Sequence, residues 1–414
     1  MAHQIQVPTI FNNVMGPVGA GPSTSNTCGP CRIGYMSRKL LTGPLQKAVI
    51  HFPSDSAYAT PNCKGMRSDY AFAHGLLGRL PDSGEELLKA FDDLKAQNTQ
   101  LHFTIDEGFQ GGQHLLSVLE LIGENGETAE VWGISKGGGI IELTKIDGFP
   151  LSLGGEVNTL LVFTKESRCE HLEALAENIK KEHPLLQEYP FTLSTKEDGG
   201  LIIFSTYVLA NSQTITKIEE NENVIKVRAL PALLPVVVKP QPQLPFTNAA
   251  ELTAYCEGKT LVEAALDYES AVSGWDREHV LTYTKEILSA MRNSVASGLR
   301  PGLCFDGIVK PAAGALMAKY SATPLIGDGI VTKAALYSMA IMEYSNASGV
   351  VVCMPTAGAS GTVAGALLAA AEQLSSSDEQ LVEALLSAGV IGVSIAEDND
   401  FCGGVYGCQA EVTK

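Results

Sequence analysis

A stretch near the N-terminus combines the residue types that hold a small anion. Residues 21–34 read GPSTSNTCGPCRIG, in which the hydroxyl residues Ser23, Thr24 and Ser25 lie between Gly-Pro pairs and an arginine-led apolar run follows. A loop of hydroxyls and backbone amides that opens a helix presents donors at the positive end of the helix dipole. The stretch predicts an anion site, although the same residue types also form ordinary N-capped turns.

The elements that would position this loop alternate between strand and helix patterns. Within residues 1–155, apolar strand patterns at 48–52 and 101–105 alternate with an amphipathic helical pattern at 85–96. A meander follows, with strands at 128–134 and 140–146 joined by the turn KGGG at 136–139, which we interpret as a plain hairpin rather than a ligand cradle. This part predicts an α/β N-terminal domain.

Two further domains and a linker are predicted after it. Residues 156–230 have the order strand, helix, strand, strand, helix, strand, which is typical of a ferredoxin-like domain. Residues 231–246 carry five prolines and predict an extended, semi-rigid linker. Residues 247–414 contain seven alanine-, leucine- and methionine-rich helical patterns, which predict an all-α C-terminal domain.

Two glycine-rich joints in the helical part carry possible chemistry. PTAGASGT at residues 355–362 places small residues and an N-cap at a helix start, which is also what close helix packing requires. FCGGVYGCQAE at residues 401–411 sets Cys402 and Cys408 beside glycines, where a sulfur would be open to a cleft. A second cysteine pattern, CGPC at residues 28–31, has the spacing of a thioredoxin-like dithiol, but it lies inside the longer hydroxyl-rich loop, which disfavours that interpretation.

Composition limits the classes of partner. The chain has 414 residues, of which 45% are hydrophobic, so it can bury large cores. Its formal net charge of −17 disfavours binding to nucleic acid or to an anionic membrane. The N-terminus lacks a basic segment followed by an apolar run, and we expect no membrane-spanning segment. These features predict a cytoplasmic protein that acts on a small molecule. In such a protein, nine cysteines indicate buried thiols, metal ligands or reactive thiols rather than disulfides.

Five motifs in order resemble the iron-sulfur-dependent L-serine dehydratases. They are GPSTSNTCGPCRIG, KGMRSD at residues 64–69 with GLLG at 75–78, ISKGGGIIELTKIDGF at 134–149, PTAGASG and GCQAEV. The resemblance covers most of the chain. It implies a β part at residues 1–155, a regulatory ACT-type domain at 156–230 and an α part after the linker, fused in one polypeptide that forms a homodimer.

The resemblance implies a β-elimination that converts L-serine to pyruvate and ammonia, in amino acid metabolism and gluconeogenesis. A 4Fe-4S cluster would act as Lewis acid on the serine hydroxyl, without pyridoxal phosphate. It implies Cys408 as a cluster ligand, with Cys402 and Cys353 as further candidates. The residues implied for substrate binding are Ser23, Thr24, Ser25, Asn26, Thr27, Lys64, Asp69 and Lys310.

The chain departs from the family pattern at three places. Asn26 and Met66 stand where the family usually has histidines, and asparagine cannot act as a general base, so the catalytic base is not assigned. The sequence also ends at Lys414, soon after the GCQ motif, where family members continue to their next cysteines; we expect a truncated or divergent member. A catalytically weakened amino-acid-binding paralogue and a related cysteine-degrading lyase are the alternative functions.

Overall fold

The structure is a computed structural model that describes residues 7–16, 18–59, 62–305, 310–322 and 329–396. It begins with a short π-helical turn, Ile10–Val14. The elements of the N-terminal part, in chain order, are β1 (Val18–Ala20), α1 (Cys28–Arg38), β2 (Leu45–Pro53), α2 (Asn62–Gly65), α3 (Ser68–Leu76), α4 (Ala90–Ala96), β3 (Gln100–Asp106), β4 (Leu116–Gly123), β5 (Thr128–Gly137), β6 (Ile140–Ile146) and β7 (Phe149–Leu153).

The first sheet has six strands in the order β3-β2-β4-β5-β6-β7. Strands β2 and β3 are parallel, and the other neighbours are antiparallel. Helix α1 lies on one face, where Ile33 and Met36 pack with Val131 and Ile141 of the sheet. The helix predicted at 85–96 is shorter, because Leu87–Lys89 forms a 3-10 turn before α4. The N-terminal part is therefore an α/β unit.

The middle part forms a second sheet. Its elements are β8 (Asn158–Thr164), α5 (Cys169–Glu182), β9 (Phe191–Lys196), β10 (Gly199–Thr206), α6 (Ser212–Glu219) and β11 (Val224–Leu230). The strand order is β11-β8-β10-β9, and every neighbouring pair is antiparallel. Strand β8 is buried on both faces: Leu161 and Phe163 join the core of the first sheet, and Leu160 and Val162 pack under α5 and α6. Side chains of β8 therefore contribute to the hydrophobic cores of both sheets.

The described residues of the C-terminal part form helices and one short strand. Its elements are α7 (Ala249–Tyr255), α8 (Leu261–Ser273), α9 (Arg277–Gly298), α10 (Ala313–Ala322), α11 (Ile330–Asn346), β12 (Val350–Val352), α12 (Ala357–Leu374) and α13 (Asp378–Ala396). Residues 231–246 form no helix or strand, and they dock through a reciprocal pair of hydrogen bonds between Val236 and the side chain of Asn12.

Residues 7–16 and 18–20 connect the N-terminal part of the chain to the helical part. Strand β1 pairs antiparallel with β12, with Val18 opposite Val352. Ahead of it, Ile10 and Phe11 are fully buried in the hydrophobic core of the helical part, where the ring of Phe11 meets Tyr283 edge-on at 4.9 Å. The N-terminal segment thus packs with residues more than 250 positions away in sequence.

One helix is long and apolar enough to bear on the expectation that the chain has no membrane-spanning segment. Helix α13 is 19 residues long, and its length and mean hydropathy would suffice to cross a membrane. A core helix passes the same test, and Leu381, Leu386 and Val390 of α13 are buried in the helical core. Packing against α8, α9 and the Ile10–Val14 turn accounts for the apolar face of this helix.

Candidate active site

The loop between β1 and α1 is held by three of its own side chains. The carbonyl of Ser23 accepts the amide N–H groups of Asn26 and Thr27, at 3.1 and 2.7 Å. The hydroxyl of Thr27 donates to the carbonyl of Ala20 at 2.6 Å, and the amide of Asn26 donates to Ser23 Oγ at 3.1 Å. Ser23, Asn26 and Thr27 therefore set the shape of the loop.

Thr24 and Ser25 differ from these three residues in how their donors are used. Both residues are almost fully buried, at 3% and 5% exposure. Among the residues that the structure describes, no partner accepts a hydrogen bond from their hydroxyls or amides. Tyr58 fixes the position of the pair by donating its hydroxyl to the carbonyl of Ser25 at 3.0 Å. These donors lie just before the first turn of α1, which is where an anion is most favourable.

Helices α1 and α3 cross closely beside this loop. A Cβ atom on Gly75 would lie 1.9 Å from the carbonyl oxygen of Cys31, and one on Gly34 would lie 2.8 Å from that of Phe72, so the crossing requires glycine at both positions. The start of α3 reaches the loop, where Ser68 Oγ donates to Asn26 Oδ1 at 3.4 Å. The GLLG and GPCRIG motifs are thus brought together by helix packing.

The structure places Lys64 and Asp69 on a cleft next to the loop. This cleft has a volume of 680 Å³, and its wall includes Tyr58 and Cys63 as well as these two residues. Burial raises the pKa of Asp69, against the hydrogen bond that its carboxylate accepts from the amide of Tyr70. Lys64 is exposed. Tyr58 is therefore the side chain shared by the cleft and the loop.

Lys310 is not brought to the loop by any contact that the described residues show. Its side chain is exposed. The start of the neighbouring helix α10 is occupied, because the buried carboxylate of Glu343 accepts the amides of Ala312 and Ala313 at 2.8 and 3.1 Å. The donors at this helix start are therefore already satisfied within the fold.

The glycine turn between β5 and β6 touches the helical part. Gly137, Gly138 and Gly139 all have positive φ angles, of 99°, 57° and 78°, and a Cβ on Gly138 would lie 3.6 Å from the carbonyl of Pro355. Pro355 precedes α12, which Thr356 caps by accepting the amide of Ala359. The turn is a hairpin, as its sequence predicts, and it also lies against the helix start of the PTAGASGT motif.

Arg32 is a residue that sequence reasoning gave no role. It lies in the second turn of α1, is 3% exposed, and donates from Nη1 to the carbonyl of Gly139 at 2.6 Å. The only sequence signal was its place directly after the hydroxyl-rich loop. An arginine at a helix position is ordinarily solvated, so a local pattern does not reveal that this one is buried.

The thiols of the CGPC pattern have the wrong surroundings for redox chemistry. Cys28 and Cys31 are buried, and burial raises the pKa of both thiols, more than the nearby Arg32 lowers it. A dithiol oxidoreductase needs a stabilised thiolate instead. These surroundings favour a structural role for both cysteines.

The described residues do not supply a ligand set for an iron-sulfur cluster. Cys353 is 1% exposed and lies in the apolar core of the helical part. Cys402 and Cys408 lie outside the described residues. Within the described ranges, no group of three or more histidine, cysteine or acidic side chains could hold a metal ion.

Comparisons with known proteins match both parts of the chain. The family described as serine dehydratase alpha chain matches residues 168–414. The probable L-serine dehydratase beta chain of Bacillus subtilis is 32% identical over 151 residues, which are 36% of this chain and 66% of that protein. The probable alpha chain from the same organism is 32% identical over 174 residues, which are 40% of this chain and 56% of that protein.

A further beta chain, the L-serine dehydratase beta chain of Peptoniphilus asaccharolyticus, is 28% identical over 157 residues, which are 37% of this chain and 68% of that protein. The chain thus spans about two thirds of the length of these beta chains and just over half of the B. subtilis alpha chain. Because separate beta and alpha chains both find their counterparts here, the chain belongs to the L-serine dehydratase family, with β and α parts fused in one polypeptide.

Proposed function

We propose that the chain is an L-serine ammonia-lyase, which eliminates water from L-serine to give pyruvate and ammonia. The family membership and the names of the relatives support this activity. The observation that carries it in this chain is the pair of unused donors on Thr24 and Ser25 at the start of α1. Hydroxyls and amides at that position suit the carboxylate of an amino acid.

Substrate binding is assigned to the loop and its neighbours. Thr24 and Ser25 would donate to the carboxylate, and Ser23, Asn26 and Thr27 would hold the loop in shape. Lys64 and Asp69, on the adjoining cleft, would contact the remainder of the substrate, and Lys310 stays a more distant candidate. The base that removes the Cα proton is not assigned.

The cofactor is proposed on the family resemblance. A 4Fe-4S cluster would supply a Lewis acid for departure of the hydroxyl, with Cys408 as a ligand and Cys402 and Cys353 as candidates; pyridoxal phosphate would not be required. Protein purified without oxygen should then be brown and contain iron and sulfide. Cys408→Ser should lower the bound iron, and iron-free protein after anaerobic reconstitution would contradict the cluster proposal.

One observation favours a second candidate, a paralogue that binds an amino acid without turning it over. Asn26 stands where the family usually has a histidine, and its side chain bonds to Ser23 and Ser68. An amide in those bonds maintains the loop but cannot transfer a proton. Pyruvate formation from L-serine separates the two candidates, because both should bind serine.

For the middle part we propose an ACT-type, ferredoxin-like domain at residues 156–230 that mediates dimer contact in a cytoplasmic homodimer. Its strand order supports this assignment. At the turn into α5, the carboxylate of Glu166 accepts the amides of Ser167 and Arg168 and an N–H of the Arg168 side chain. These bonds lower the pKa of Glu166 and occupy the donors that an effector would use. The other domains are proposed at residues 1–155 and 247–414, joined by the linker 231–246.

The test of the loop is the substitution Ser25→Asp. A second carboxylate beside the substrate carboxylate repels it, and the loop donors would turn toward the new side chain. Isothermal titration should show L-serine binding to the wild type and no measurable binding to Ser25→Asp.

Ser212→Asp is the matched control, because Ser212 also opens a helix but is exposed and lies in the middle part. It should bind L-serine as the wild type does. Unchanged binding by Ser25→Asp would place the ligand elsewhere.

A further inference from the structure

Among the residues that the structure describes, none supplies a counterion to the buried guanidinium of Arg32. Arg32 is 3% exposed, and its Nε atom is buried with no hydrogen-bond partner. Its hydrogen bond from Nη1 goes to the neutral carbonyl of Gly139. Among the described residues, no carboxylate oxygen lies within 4.0 Å of its nitrogens. An arginine stays charged in proteins, so a full positive charge is enclosed here.

The direction of the side chain brings this charge to the start of α1. Side chains on a helix tilt toward its N-terminus, so Arg32 in the second turn reaches back along the first turn. The Gly139 carbonyl that it meets belongs to the turn after β5. Ser135 of β5 contacts the first turn of α1, where a Cβ on Gly29 would lie 2.2 Å from Ser135 Oγ. The charge of Arg32 also lowers the pKa of the thiol of Cys28, the first residue of α1, so the guanidinium lies near the helix start that follows Thr24 and Ser25.

This position is unfavourable for a cation in the free protein. The N-terminus of a helix already carries a partial positive charge, and a buried charge without a partner is costly. Both effects change sign when an anion is present, because the helix start and the guanidinium then attract the same ligand. The fold thus places two groups with positive electrostatic potential, the start of α1 and the guanidinium, close together.

Two acidic side chains share the surroundings of Arg32, and neither has a carboxylate oxygen within 4.0 Å of its nitrogens. Burial raises the pKa of the Glu156 carboxyl, although Lys136 and Arg32 both lower it. Asp82 raises the pKa of the Cys28 thiol, whereas Arg32 lowers it. The Tyr283 hydroxyl is kept neutral, since burial raises its pKa.

We propose that Arg32 binds the carboxylate of the amino-acid ligand, together with the donors of Thr24 and Ser25. This inference rests on the proposed role of the loop and names the charge that gives the site its specificity. Neutral hydroxyls and amides alone would tolerate an amide in place of a carboxylate. A buried guanidinium requires an anion, so the site should reject L-serinamide and accept small carboxylates that lack the amino and hydroxyl groups.

The experiment compares Arg32→Gln and Arg32→Lys with Lys39→Gln. Lys39 follows the same helix and is exposed, so its substitution removes the same charge away from the site. The ligands are L-serine, L-serinamide and propionate, followed by titration calorimetry and by the ligand-induced change in melting temperature. The wild type and Lys39→Gln should bind L-serine and propionate but not L-serinamide. Arg32→Gln should bind both carboxylates about 10- to 100-fold more weakly, with Arg32→Lys between the two.

The melting temperature without ligand separates this role from a structural one. If Arg32 serves as an anion receptor, Arg32→Gln should melt no lower than the wild type, because the neutral amide removes an uncompensated charge. A lower melting temperature with unchanged affinity for the carboxylates would overturn the inference, as would a wild type that binds neither carboxylate. If Arg32→Gln does not fold, the affinity of Arg32→Lys decides.

The proposed function can fail independently. Binding of both carboxylates through Arg32 without pyruvate formation would leave the inference standing and contradict the lyase activity. Pyruvate formation with an unchanged KM for L-serine in Arg32→Gln would support the lyase activity and contradict the inference about Arg32.

Discussion

Burial has opposite consequences for the ionisable side chains of α1. It keeps the thiols of Cys28 and Cys31 protonated, because their thiolates would be desolvated. Arg32 is buried beside them, and an arginine stays charged in proteins, so the helix presents two protonated thiols and a permanent cation side by side. At the scale of the residue, the site is therefore electrostatic in character and not redox-active.

The thiols give a direct check on this description. Cys169 and Cys304 are exposed, whereas Cys28 and Cys31 are buried with raised thiol pKa values. In the native protein at pH 7.5, iodoacetamide should label Cys169 and Cys304 and leave Cys28 and Cys31 unmodified, as measured by peptide mass spectrometry. After denaturation in urea all four should react, which serves as the control. Labelling of Cys28 at the rate of Cys169 would show that α1 opens readily.

Individual roles within the loop were not predictable from its sequence. The residue types of Ser23, Thr24 and Ser25 predict hydrogen-bonding groups at a helix start, but all three look equivalent in the sequence. Ser23 shapes the loop because it accepts hydrogen bonds from Asn26 and Thr27. Thr24 and Ser25 keep donors that the described residues leave unused, and the carbonyl of Ser25 is held by Tyr58 from outside the loop. Only the folded chain brings these partners together.

At the scale of the element, the Ile10–Val14 turn depends on a carboxylate in another part of the chain. Glu269 of α8 is fully buried and accepts the amide of Ile10 through Oε2 at 2.9 Å, while its Oε1 has no partner. Burial raises the pKa of Glu269 to about 8, against the lowering effect of that hydrogen bond. The turn is thus anchored by an acid that is protonated at neutral pH.

This acid makes stability depend on pH with a definite sign. Below about pH 4.5 both the folded and the unfolded state bind its proton; between about pH 4.5 and 8 the unfolded state loses the proton and the folded state keeps it, so stability falls as pH rises. The slope is at most about 1.4 kcal/mol per pH unit. Glu269→Gln keeps an acceptor for Ile10 and should remove this slope, as measured by urea unfolding at pH 5, 6.5 and 8.

The matched control for that measurement is Glu257→Gln, because Glu257 is exposed. This variant should keep the slope of the wild type between pH 5 and 8. If Glu269→Gln also keeps it, another group must be responsible for the pH dependence.

Elements with a strong local period were predicted well, and those defined by distant pairing were not. The long periodic stretch at Arg277–Gly298 predicts α9 with its observed bounds. Strands β1 and β12 have three residues each and form only because they pair with each other across the chain, so no local period marks them. The 3-10 turn Leu87–Lys89 has the apolar spacing of the predicted helix, and only its backbone differs.

Within the whole molecule, the N-terminal segment packs with the helical part and not with the six-stranded sheet that comes after it in the sequence. Ile10 and Phe11 lie in the core of α8, α9 and α13. Ile10 packs directly on Gly389 of α13, where a Cβ atom would lie only 2.6 Å from the Ile10 side chain. Together with the β1–β12 pair and the contact between Gly138 and Pro355, this packing ties the β part to the α part on the side of the glycine turn.

That arrangement predicts where a defect near the N-terminus is felt. Phe11→Ala removes a fully buried ring and should destabilise the protein by about 3–5 kcal/mol. Because the ring packs against Trp275 and Tyr283, hydrogen exchange measured by mass spectrometry should accelerate in peptides from α8 and α9, while the six-stranded sheet stays protected.

Phe72→Ala is the matched control, because Phe72 is equally buried but belongs to the core of the six-stranded sheet. In Phe72→Ala, hydrogen exchange should accelerate in peptides from β2 and α3, whereas α8 and α9 should stay protected. Faster exchange of the six-stranded sheet alone in Phe11→Ala would mean that the N-terminal segment is stabilised by the part it precedes, and the two ends of the chain would then not share one core.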